Sequence, residues 1–202
     1  MMLLLVAMLV AIMAPLFART WRTMFRALGL QGLLLAVIAY MQLGDHTQPG
    51  DIAGWVMIAD LALLRGLFVP AFLERMVRGR TRSPELELVP SDLVFWGISL
   101  VIVVTALWFG AKIPPVDTLP SLHLGVALTA VLLGLYVLAL QTRPIGQVIG
   151  AVIIENGVVL LELLLTHHVA LPVELALVGV FLGSILAFGV LLRRLETPTE
   201  DA

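Results

Sequence analysis

Residues Ile145–Leu165 read IGQVIGAVIIENGVVLLELLL. Arg143-Pro144 stands just ahead, carrying the loop chemistry that ends one element and opens the next. From there the chain stays apolar for about 20 residues, the length a helix needs to cross the hydrocarbon core of a bilayer. A membrane barrel would show short strands of alternating polarity, and this run is long and continuously apolar. It is read as a transmembrane helix with one carboxyl, Glu155, near its centre.

Six further runs of the same kind lie outward from it: Met2–Phe17, Phe25–Leu43, Ile52–Val77, Leu93–Ala111, Leu122–Leu140 and Leu171–Leu192. Gly44-Asp45 to Pro49-Gly50, Arg82-Ser83-Pro84 and Pro114-Pro115 separate them. The first run has no basic segment ahead of it and no A-x-A site, so it is taken as a helix and not a signal peptide. Composition agrees: 60% of the 202 residues are hydrophobic and 13% charged. Soluble domains carry about a quarter charged residues. Mean hydropathy is +1.06. The fold class expected is therefore all-α, a polytopic membrane protein of about seven transmembrane helices.

The chain has no cysteine, which excludes disulfides, thiolate-bound clusters and cysteine-ligated zinc within it. Its four histidines show no metal-ligand spacing. No metal, cofactor or catalytic residue is expected in this chain, and no nucleic-acid partner. No stretch outside the runs is long enough for a soluble catalytic domain. Eleven arginines against one lysine point to a GC-rich prokaryotic genome.

Charges within the apolar runs are costly, at least ~2.5–3.5 kcal/mol each near the bilayer centre, and are read one by one. Glu155 lies eleven residues after Pro144, ~16 Å into the helix at 1.5 Å per residue. Asn156 beside it offers an amide, and Gly157 lets another helix approach. Glu162, seven residues on, returns to the same face two turns nearer the outside. Two carboxyls on one stripe suit a stepwise proton path; the alternative for Glu155 is a structural acid bonded to a neighbouring helix. In the third run Arg65 is again central and cannot shed its charge. Asp60, five residues away and about 140° around a regular helix, is a poor partner for it, so a carboxylate from another helix or subunit is expected. Glu174 follows Pro172 in the first turn of the last run, where the helix dipole favours an acid. His123, in the first turn of run five, is read as an interfacial residue or a weaker relay candidate.

Arg143-Pro144-Ile145-Gly146-Gln147-Val148-Ile149-Gly150, Glu155-Asn156-Gly157 and Val173-Glu174-Leu175 together resemble the hydrogenase-4 component E family. Gln31, and Arg65 ahead of Val69-Pro70, fit that resemblance more loosely. The family comprises membrane subunits of energy-converting [NiFe] hydrogenases and formate hydrogenlyase-type complexes. Its last three helices are similar to the K subunit of bacterial complex I, whose mid-helix glutamate belongs to a proton route and falls on Glu155. The resemblance implies a four-helix membrane region over 1–118, a K-subunit-like region over 119–195 and a short cytoplasmic tail over 196–202. It implies a non-catalytic subunit of the prokaryotic inner membrane. Its partners would be antiporter-like membrane subunits and a peripheral hydrogenase arm holding the [NiFe] centre and iron–sulfur clusters. Two positions depart from the pattern. Leu177-Val178-Gly179-Val180-Phe181 lacks the family's acid, and Glu162 stands where the family often has an aliphatic residue. Two other readings remain: a self-sufficient small cation/proton antiporter component, and a structural scaffold. The first should show an internal repeat and helices broken at the midplane, and no convincing repeat is found.

Basic residues set the orientation. Arg19, Arg22 and Arg26, then Arg75, Arg78, Arg80 and Arg82, then Arg143, then Arg193 and Arg194 all fall on one side. That is ten of twelve; Lys112 lies opposite with Asp45, Asp51 and Asp117, and Arg65 is within a run. The N-terminus is expected outside and the C-terminus in the cytoplasm. In this cysteine-free chain, Arg80→Cys should react with an impermeant thiol reagent only after the cells are permeabilised, and Asp117→Cys in intact cells. The reverse pattern would overturn the crossing count.

Overall fold

In a computed structural model the chain is helical, with no strand among the described residues, which are 1–44, 52–77, 88–90, 92–112, 121–164 and 171–195. The tail 196–202, Asp45, Asp51, Arg78, Arg80, Arg82, Asp117 and the pair His167-His168 lie outside them.

The first apolar run is two helices, α1 (Met2–Ile12) and α2 (Ala14–Phe17). Pro15 explains the break, because it has no N–H to offer the carbonyl four residues back, that of Ala11. Helix α3 (Trp21–Gly44) starts earlier than the expected Phe25. Thr20 is the reason: its hydroxyl accepts the Thr23 N–H at 3.3 Å, a side-chain cap on an otherwise unpaired donor.

The third run, Ile52–Val77, is one continuous rod of three parts: α4 (Ile52–Ala59), a π-helical segment (Asp60–Phe68) and α5 (Val69–Val77). Then come α6 (Leu93–Lys112), α7 (Ser121–Leu140), α8 (Pro144–Leu164) and α9 (Leu171–Leu195).

Among the described residues, five helices are long and apolar enough to cross a membrane: Trp21–Gln42, Ile52–Val77, Leu93–Lys112, Leu122–Leu140 and Pro144–Leu164. Met2–Ile12 and Leu175–Val190 are shorter apolar helices. Large apolar side chains such as Leu3, Leu93, Val101, Trp108 and Val180 stand exposed all round the outside. A soluble monomer rarely shows such a surface. The protein is a multi-pass helical membrane protein.

Helix α7 packs along both α6 and α8, while α3 packs along the π segment and α5. Helix α1 lies against α3 and α7, and α3 meets α8, joining the two groups into one bundle. Helix α9 touches α4 and α8 more lightly. Lipid tails are as apolar as the side chains, so close packing and polar contacts hold such helices together.

Two seams depend on missing side chains. A Cβ on Gly32 would sit 2.5 Å from the backbone nitrogen of Gly66, and one on Gly150 would sit 2.9 Å from that of Leu138. Both obstacles are backbone, which cannot swing aside. Gly97, by contrast, would meet nothing within 4 Å. Gly32→Ala should therefore cost about 1–3 kcal/mol through overpacking, while Gly97→Ala leaves stability unchanged or slightly higher. Thermal unfolding of both variants in mild detergent checks the contrast, and equal midpoints would show that the α3 seam can give way.

Candidate functional site

Arg65 occupies the π segment, where its side chain is 5% exposed. Its Nε donates to Asp60 Oδ2 at 3.2 Å, and Asp60 is itself only 7% exposed. The expectation that these two residues are poor partners is overturned. In a regular helix five steps leave them on different faces, but π-helical backbone bonds run from residue i to i+5 and bring such residues together.

The expected carboxylate from another helix is also present. Arg65 Nη2 lies 3.6 Å from Glu155 Oε2 on α8, whose side chain is 50% exposed. The other face of the guanidinium is covered by α9, with Arg65 Cζ 3.9 Å from the centroid of the Phe181 ring. A guanidinium over an aromatic face is attracted by the ring's negative face. One cation thus ties the third, sixth and seventh apolar runs together.

These groups line a cavity of about 320 Å³ bounded by the Ile52–Val77 rod, α8 and α9. Asp60, Arg65, Glu155 and Glu162 all face it, as does Ser184; the rest of the lining is apolar. The seven-residue spacing places Glu155 and Glu162 on one wall, as the helical period requires. Asp60 Oδ1 and Arg65 Nη1 are buried without a hydrogen-bond partner. Three carboxyls therefore meet one permanent cation in an apolar cleft.

Asn156 points the other way. It is 1% exposed, and its Nδ2 donates to Gln31 Oε1 at 3.0 Å. Gln31 Nε2 in turn donates to the Ala11 carbonyl at 2.9 Å, the carbonyl that Pro15 leaves without its usual partner. This chain of amides links α1, α3 and α8, and it fixes the face that α8 turns toward Arg65.

His123 is in the first turn of α7, fully buried, with both ring nitrogens lacking a hydrogen-bond partner; it does not line the cleft. Glu174 lies in the first turn of α9, and its side chain is outside the described residues. Among the described residues no three of His, Asp and Glu group to hold a metal ion.

The chain matches no family model, no curated protein and no solved structure.

Removing one partner of a buried ion pair strands the other and costs about 3–5 kcal/mol, whereas replacing both by apolar groups is often nearly neutral. Asp60→Leu alone should therefore lower stability by about 3 kcal/mol, and adding Arg65→Leu should restore part of that loss. Unfolding midpoints of both singles and the double variant measure the coupling; strictly additive effects would show that the pair does not act as a unit.

Proposed function

We propose that this protein is a non-catalytic membrane-arm subunit of a complex I-like energy-converting hydrogenase, where it helps couple electron transfer to proton translocation. The observation that carries the reading is the position of Arg65, held between Asp60 and Glu155 in a cleft that Glu162 also lines. The cleft sets carboxyls beside a cation that cannot give up its proton, within apolar walls. Glu155 is the central titrating group, and Glu162 extends the route along the same helix face. Asp60 keeps Arg65 in place throughout and is the third acid in reach of the path.

Seven crossings with the N-terminus outside complete the reading. Helix α9, at 25 residues, is ~37 Å long, enough to span the core. Helix α1 continued by α2 supplies the first crossing. The side rich in arginine then faces the cytoplasm of a prokaryotic cell, and the electron-carrying arm with its [NiFe] and iron–sulfur centres docks there. The larger neighbours in the membrane are antiporter-like subunits. The resemblance of the Glu155-Asn156-Gly157 helix supplies the hydrogenase part of this reading; the cleft supplies the proton part.

Glu155→Gln keeps the shape and hydrogen bonding of the side chain but removes its ability to titrate. The complex isolated with this variant should retain its subunits while proton pumping per turnover falls about tenfold. Glu155→Asp, which still titrates but reaches less far, should lose less. A structural acid gives the opposite order, with Gln tolerated and Asp harmful. Pumping in vesicles, with subunit content checked by blot, decides between them.

A further inference from the structure

The cleft is open on the outside of the bundle. Glu155 is half exposed although it stands at mid-helix, and the rim residues Val158 and Val180 are 48% and 70% exposed. Something must cover this opening in the membrane, and the charges inside select what it is. Lipid chains or a purely apolar helix would leave the carboxyls of Glu155 and Glu162 facing hydrocarbon without a polar partner, which a membrane protein avoids. Arg65 offsets one of the three carboxyls, and Asp60 Oδ1, on a side chain only 7% exposed, still has no partner.

A second copy of this chain does not supply the missing charge. Among the described residues, the one basic residue at mid-helix is Arg65, already committed; Arg22, Arg26, Arg75, Lys112 and Arg143 all stand near helix ends. We infer that the cleft between the Ile52–Val77 rod, α8 and α9 is the docking groove for a membrane-spanning helix of another protein, one that carries a lysine or arginine at mid-depth facing Glu155 and Glu162. This rests on the reading of the protein as a subunit and names the chemistry of its neighbour. A base at that place meets the carboxyls that Arg65 does not offset. Opposite charges across an interface also fix its register and reject wrong partners.

The absence of cysteine makes the test site-specific. Val180→Cys, at the rim of the cleft, is labelled with a maleimide-benzophenone in native membranes and irradiated, and the linked peptide is identified by mass spectrometry. Leu100→Cys, on the exposed side of α6, serves as the comparison site. The expected product at Val180 is a membrane-spanning segment of another protein with Lys or Arg within about two helical turns of the link. Adding Glu162→Lys should cut that product about tenfold through like-charge repulsion and leave the Leu100 products unchanged. Links to lipid alone, to a second copy of this chain, or to a segment without a base would overturn the inference, as would a yield indifferent to Glu162→Lys. Capture of a basic helix from a protein outside any hydrogenase-type complex would refute the proposed function and leave the groove standing. A hydrogenase-type complex whose other subunits do not link at Val180 would do the reverse.

Discussion

A guanidinium cannot be neutralised by giving up its proton, so an arginine at the centre of a membrane helix must be met by negative charge from its surroundings. Arg65 imposes that requirement, and much of the architecture meets it. The rod that carries it is π-helical where it needs Asp60 alongside, α8 turns Glu155 toward it, and α9 lays Phe181 across its face. π-Helical segments are rare and gather at functional sites. Here the segment has a definite effect, because it converts a spacing of five residues from opposite faces to one.

The second constraint comes from the far side of α8. Asn156 and Gln31 bridge to the Ala11 carbonyl, which Pro15 leaves without its regular partner. Neighbouring residues on a helix differ by about 100°, so fixing Asn156 against α3 turns Glu155 toward the rod. A carbonyl freed in the first helix is thus connected, through two amides, to the orientation of a carboxyl five apolar runs later.

The helices were legible in the sequence because length and apolarity decide them, and Glu155, Glu162, Asp60 and Arg65 were legible because charge is conspicuous in an apolar run. Their meeting in one cleft was partly readable. The pairing of Arg65 with a carboxylate on another helix follows from its permanent charge, and the common face of Glu155 and Glu162 from the helical period. Asp60 was misread because the angle between it and Arg65 was taken from a regular α-helix, and nothing in Asp60–Phe68 announces the wider turn. The burial of His123 was not legible, because position in a first turn does not say which helices pack over it. Gln31 stood out only by resemblance. Pro15 does signal that a carbonyl needs a donor, but not which helix provides it. Phe181 looks like any other apolar residue until a cation lies over it.

Arg65 is shared between two carboxylates, those of Asp60 on its own rod and Glu155 on α8, and the aromatic face of Phe181 on α9. Among the described residues, Phe181, Ile185 and Gly189 are the buried positions of α9, the last against Phe72. The Arg65 guanidinium is thus one of the links between α8 and α9, beside their direct packing. The ion pair and the cation–π contact share one guanidinium, so they cannot be optimised independently, and a shift in one is necessarily a shift in the other.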